Sequence, residues 1–153
     1  MEYIKFEPIP YESSFEPLLI EFLEKCLPES GRCLEIDGRH SYYKHIPEHF
    51  KAFWCMFDDD DIIGTAAFSE LNSTSCELKS LYLYEKYHGK GLGRKLINTA
   101  IESARRYGYE KMYLDTFSTS TKAIALYRKT GFADTEKYNA ALRSDVFMVL
   151  ELR

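Results

Sequence analysis

The stretch Leu81–Tyr107, LYLYEKYHGKGLGRKLINTAIESARRY, limits what this chain can fold into more than any other part of it. An apolar strand runs into a turn with glycines at alternate positions, Gly89, Gly91 and Gly93, and the turn opens a long amphipathic helix. Leu92, Leu96, Ile97, Ala100, Ile101 and Ala104 recur at helical spacing and make one apolar stripe. Gly108 is the natural stop, because glycine closes a helix in the left-handed conformation without a Cβ penalty. Such a unit aims the helix N-terminus, with its unpaired amides and partial positive charge, beyond the strand end. Glycine lets a ligand approach that backbone closely, and the ligand suited to the place is a phosphate. Lys90, Arg94 and Lys95 add positive charge to a chain whose net charge is −4. The stretch predicts an anion cradle.

The other elements are read around this one. Tyr3–Pro8 predicts a first strand. Ser13, with Glu16 three residues on, makes a capping-box pattern ahead of Phe15, Leu18, Leu19, Phe22, Leu23 and Cys26. Their spacing predicts a core helix that Pro28 ends. Residues 29–50 carry Gly31, Asp37-Gly38 and Pro47 and read as a solvated loop with one short helix, crowded with Arg32, Arg39, His40, Tyr42 and Tyr43. Residues 52–57 and 62–68, joined by four aspartates, predict a hairpin with a solvated acidic tip.

In Cys76–Leu83, strict alternation would put Glu77 and Lys79 on one face with Leu81 and Leu83. Charge and leucine mixed on one face predict a break in the pleat near Ser80, which a β-bulge supplies. Lys111–Thr116 predicts a strand, and Ser118-Thr119-Ser120-Thr121 offers N-caps for the helix that follows. Residues 133–152 predict a closing hairpin with Tyr138, Asn139 and Arg143 at its turn.

The glycine spacing narrows the kind of cradle. A Walker loop needs Lys-Ser/Thr after its last glycine, where this chain has Arg94-Lys95-Leu96, and a dinucleotide fingerprint needs G-x-G-x-x-G. His88-Gly89-Lys90-Gly91-Leu92-Gly93 resembles instead the pyrophosphate loop of the GNAT superfamily of N-acetyltransferases, (Gln/Arg)-x-x-Gly-x-(Gly/Ala). His88 departs from that pattern by standing where it has Gln or Arg. Downstream, Ala123, Tyr127 and Gly131-Phe132 are similar to a second block of the family, with Ser120 in its usual Asn position. Upstream, Cys76–Leu83 resembles its central strand. The likeness covers roughly the second half of the chain.

The resemblance implies a fold and a site. The fold is α+β: a mixed, mostly antiparallel sheet, splayed between its fourth and fifth strands and flanked by helices. The donor is acetyl-CoA, with no metal. Bulge amides around Leu81, Tyr82 and Leu83 would hold the thioester carbonyl and pantetheine. The diphosphate would lie over His88, Gly89, Lys90, Gly91, Leu92, Gly93 and Arg94, with Ser120 contributing nearby. Tyr127 would be the general acid toward the sulfur. Glu77 is the best-placed base by residue type, acting directly or through water.

Residues 29–50 would lie beside the acceptor, with Arg39 and His40 as first contacts. Arg39 and Arg143 would suit an acceptor that carries a carboxylate. The acceptor reads as a small amine, amino-acid-like or polyamine-like, acetylated directly without a covalent enzyme intermediate. The other readings are a protein lysine or N-terminal acetyltransferase and a non-catalytic acyl-CoA-binding module.

Composition excludes other classes. A chain of 153 residues, 45% hydrophobic and 29% charged, fits one soluble domain over residues 1–153. Its N-terminus has no signal-peptide pattern and no apolar run has spanning length, so a cytoplasmic protein without a membrane or nucleic-acid partner is expected. Edge strands at the closing hairpin allow a homodimer. Cys26, Cys33, Cys55 and Cys76 form no C-x-x-C pair and read as reduced thiols. His45 and His49 are four apart with Pro47 between them, which speaks against a shared helix face and a metal pair.

Overall fold

The computed structural model describes residues 4–153. Its sheet has seven strands: β1 (Pro8–Pro10), β2 (Ala52–Asp58), β3 (Asp61–Glu70), β4 (Ser75–Leu83), β5 (Lys111–Thr116), β6 (Ala133–Asp134) and β7 (Val146–Glu151). They lie in the order β1-β2-β3-β4-β5-β7-β6. Only the central pair, β4 and β5, is parallel, as its helical connection requires. The mixed sheet and flanking helices are those expected.

Side-chain alternation divides the core in two. Trp54 and Met56 of β2 face α3 (Leu92–Tyr107), together with Ile63, Ala66 and Phe68 of β3. Phe53, Cys55 and Phe57 face α1 (Glu16–Cys26) and the short α2 (Ile46–His49) on the other side. All six stripe residues of α3 are buried, and Gly108 ends the helix with φ of 90°. On that face α4 (Thr121–Thr130) adds Tyr127.

Four expectations need correction. The first strand is Pro8–Pro10, and Tyr3 lies outside the described residues. Residues 4–7 form a turn, with Phe6 at φ 63° and Glu7 N–H bonded to Ile4 O. Two prolines then fit the strand because it is an edge. The capping box does not form: Ser13–Phe15 is a 3₁₀ turn and α1 starts at Glu16 with Pro17 in its first turn and no side-chain cap. Pro47 likewise opens α2 rather than breaking it, and the His45 and His49 rings stand 6.4 Å apart. The closing hairpin pairs over two residues of β6 only, because Tyr138 and Asn139 turn back onto β4.

Burial also sorts the thiols. Cys26, Cys55 and Cys76 are buried, and desolvation raises all three, Cys26 and Cys76 to about 12, whereas Cys33 is exposed. An aromatic disulfide reagent at pH 8 is expected to titrate one thiol rapidly in the native protein and the rest only after denaturation. Cys33→Ser should remove the fast phase, and a second fast thiol in that variant would contradict the packing described.

Candidate active site

The site begins at a discontinuity in β4. Thr65 pairs with Tyr82 and Ala67 with Lys79, so three steps on β4 match two on β3. The extra residue is accommodated at Ser80, a non-glycine residue at φ 52°. Before the bulge Cys76 and Leu78 face α3; after it Leu81 and Leu83 do, while Tyr82 joins the α1 side. The bulge thus resolves the conflict of charge and leucine seen in the sequence. Thr65 Oγ1 donates to Ser80 O at 2.6 Å, and the Tyr43 hydroxyl lies 2.7 Å from Ser80 Oγ.

Beyond the bulge β4 loses its neighbour. β5 pairs with it only at Ser75–Lys111, Cys76–Met112 and Glu77–Tyr113, and the strands then diverge. Tyr84 N–H bonds Ile63 O on β3, so the alternation of strand backbone turns the Leu83 amide away from β3, where it also neighbours the Cys26 thiol. Leu83 O accepts from His88 Nε2 at 3.0 Å, which assigns the proton of that ring to Nε2. His88 therefore ties the glycine loop to the strand end.

The loop is open where a ligand would need it. Gly89 and Gly91 both have φ of 79°, and a Cβ built at either would meet nothing within 4 Å. Gly91 is the N-cap of α3, with no side-chain cap and no acidic residue in the first turn, so the Leu92, Gly93 and Arg94 amides have no partner inside the helix. Arg94 and Lys90 are exposed, Lys90 over the Tyr87 ring at 5.7 Å. Lys95 is not part of the cradle: it pairs with Glu7 at 2.5 Å and donates to Phe6 O. An elongated diphosphate carrier with an apolar arm fits this loop and the cleft it borders.

Tyr127 stands on the inner face of α4, 8% exposed, against Phe132. Burial, with the Tyr82 hydroxyl next, pushes its phenol well above the ordinary range, so it keeps its proton. Its hydroxyl has no hydrogen-bond partner among the described residues. Ser120 is the N-cap of α4, and its side chain makes no capping bond.

On the opposite face of the sheet Glu77, 7% exposed, is heavily engaged. Its Oε2 accepts from the Tyr138 hydroxyl at 2.5 Å and from Asn139 Nδ2 at 3.0 Å, and Lys79 lies 3.5 Å from Oε1. Asn139 Nδ2 also donates to Asp115 at 2.6 Å, and Ser144 bonds the other Asp115 oxygen. Asp115 and this network were not singled out from the sequence. Asp115 lies on β5 two positions past the last paired residue, which only the splay makes significant.

The basic residues of the 29–50 segment gather on the same side. His40 is held below its usual range by burial first, then by Arg39, Arg32 and Arg143, so Arg143 of the distant closing segment shares its neighbourhood. Its Nδ1 accepts from Glu35 N–H at 2.9 Å. Arg39 is exposed and paired with Glu35 at 2.5 Å. Arg32, passed over in the sequence, is half-buried over the Phe117 ring at 4.7 Å.

Comparisons with known proteins agree with this geometry. A family model described as Acetyltransferase (GNAT) family matches residues 17–132. The N-acetyltransferase YjgM of Escherichia coli (strain K12) is 34% identical over 100 residues, covering 63% of this chain and 58% of that protein. The chain spans about half the length of the curated relatives it matches. A GNAT-family acetyltransferase structure from Staphylococcus aureus Mu50 aligns at a TM-score of 0.85, with 20% identity over 96% of this chain and 99% of that one. YncA of Salmonella typhimurium, solved with acetyl-CoA, aligns at 0.74, with 22% identity over 95% and 93%.

Proposed function

This chain belongs to the GNAT family of acetyltransferases, and from that premise we propose that it transfers the acetyl group of acetyl-CoA to the amine of a small molecule. The observation that carries the reading is the divergence of β4 and β5 after Glu77–Tyr113, ending at a glycine loop with empty space above its backbone. The loop amides and the α3 N-terminus bind diphosphate, with Arg94 and Lys90 alongside. Acetyl-CoA, when bound, supplies an activated acyl thioester.

The Leu83 amide, turned away from β3, polarises the acyl carbonyl. Tyr127 donates its proton toward the departing sulfur, for which a desolvated and unengaged phenol is suited. Glu77 draws the ammonium proton off through water, since Tyr138 and Asn139 already occupy one of its oxygens. A small acceptor is favoured over a protein segment because two anchored segments border the acceptor side. The 29–50 segment is pinned at Tyr43–Ser80, and the segment before β7 is pinned on Glu77 and Asp115.

The test is thiol release from acetyl-CoA across amino acids, polyamines and simple amines, with mass spectrometry of the products. Saturable release with an acetylated small amine is expected. CoA binding without turnover on any amine would replace this reading with a carrier role, and turnover confined to peptides would replace it with a protein acetyltransferase.

A further inference from the structure

Among the described residues every arginine but one is exposed, and the exception is Arg32. Its position is fixed by the chain. The 3₁₀ segment Leu27–Ser30 stops at Gly31 with φ of 78°, and the Arg32 amide closes that stop by bonding Leu27 O at 3.0 Å. Its guanidinium lies over the Phe117 ring, in the segment between β5 and α4, with 4.7 Å to the centroid.

What it lacks is an acceptor. The Arg32 Nε is buried without a hydrogen-bond partner, and no carboxylate among the described residues pairs with the group. Arg39, Arg105 and Arg128, all exposed, each have a carboxylate partner. A guanidinium partly withdrawn from water, with a buried N–H left unpaired, is unfavourable in the free protein, and an anion would relieve it. Stacking on Phe117 holds the plane while leaving its N–H edge for a bidentate partner.

The surroundings identify the anion's owner. Phe117 follows the end of β5, which leaves β4 beyond Glu77–Tyr113, so Arg32 stands at the splayed end of the sheet. The carboxylates of Glu77 and Asp115, joined through Asn139, lie on the two strands that border the same splay. A cation and two carboxylates bordering one splay match a zwitterion.

Building on the acetyl-transfer reading, we propose that Arg32 binds the carboxylate of the acceptor, so that the preferred acceptors are amino acids rather than simple amines. Arg39 and Arg143, the arginines favoured on residue type alone, then act as outer charges, since Arg39 is already paired and Arg143 is exposed.

The experiment compares L-amino acids with their carboxamides, which keep the amine and lose the charge. With acetyl-CoA saturating, the best amino acid should exceed its carboxamide in kcat/KM by roughly 10- to 100-fold. Arg32→Gln should bring that ratio toward one by raising the amino-acid KM, and Arg32→Lys should restore part of it. Calorimetry on the CoA complex gives the same comparison without turnover, and melting temperatures check that both variants fold. Equal use of acids and amides by the unmodified protein overturns the proposal, as does an Arg32→Gln variant that loses both equally. A carboxylate preference in binding without acetylation would sustain Arg32 and sink acetyl transfer. Turnover without that preference would do the reverse.

Discussion

Replacing Tyr127 by phenylalanine is expected to lower kcat by about 10²–10⁴-fold, the range for removing a positioned general acid, with little change in acetyl-CoA affinity. The ring is buried and packed on Phe132, so losing the hydroxyl leaves no sizeable cavity, and because that hydroxyl bonds no other described residue the fold loses little by it. The effect should therefore fall on chemistry alone. Burial raises the phenol pKa, so the group is protonated in folded and unfolded chains alike at neutral pH and contributes no pH-dependent stability there. For the same reason the unmodified enzyme should show no loss of rate from this acid below pH 10. Steady-state kinetics on the best amine decide the matter, and a variant with full kcat would remove Tyr127 from the mechanism.

The largest expected loss of stability is at the contact between α3 and the sheet. Leu96 is fully buried, and its Cδ1 sits 2.9 Å from where a Cβ on Gly64 would be. Leu96→Ala should cost about 2–5 kcal/mol. That corresponds to a fall of roughly 4–20 °C in Tm for a chain of this size. Gly64→Ala should cost about 1–3 kcal/mol by overpacking, since Leu83 and the Tyr82 carbonyl crowd the same point. The pair should be coupled: the new methyl enters space the leucine has left, so the double variant should be more stable than the sum of the two losses. Strict additivity in denaturant titrations would mean that Gly64 and Leu96 do not meet as described.

The sequence made some of this legible and left the rest hidden, for reasons that can be named. The stripe of α3 and its glycine ends were readable because helical period and left-handed caps are local properties, and the bulge at Ser80 was readable because alternation failed there. The glycine loop was found for the same reason. Arg32 and Asp115 were not found, because their significance comes from neighbours far away in the chain. Arg32 matters through Phe117 and Asp115 through Asn139, and no local pattern links either pair. The capping box failed because Pro17 enters the first turn and the chain arrives through a 3₁₀ turn rather than an extended cap. Glu77 was read from the sequence as a strand carboxylate, but not as one already held by Tyr138.

The link between Tyr43 and Ser80 constrains how this scaffold can diversify. Ser80 holds a backbone conformation that costs on the order of 1–3 kcal/mol for a residue with a side chain. Its hydroxyl helps fasten a segment lying 37 positions upstream to the sheet at that kink. On the proposed function, insertions or swaps in that segment can retune which acceptor is taken only if an equivalent latch is kept, because unfastening it also frees the strand whose amide is proposed to meet the acyl oxygen. Selectivity and rate are then mechanically coupled through the contacts Tyr43 makes at the kink.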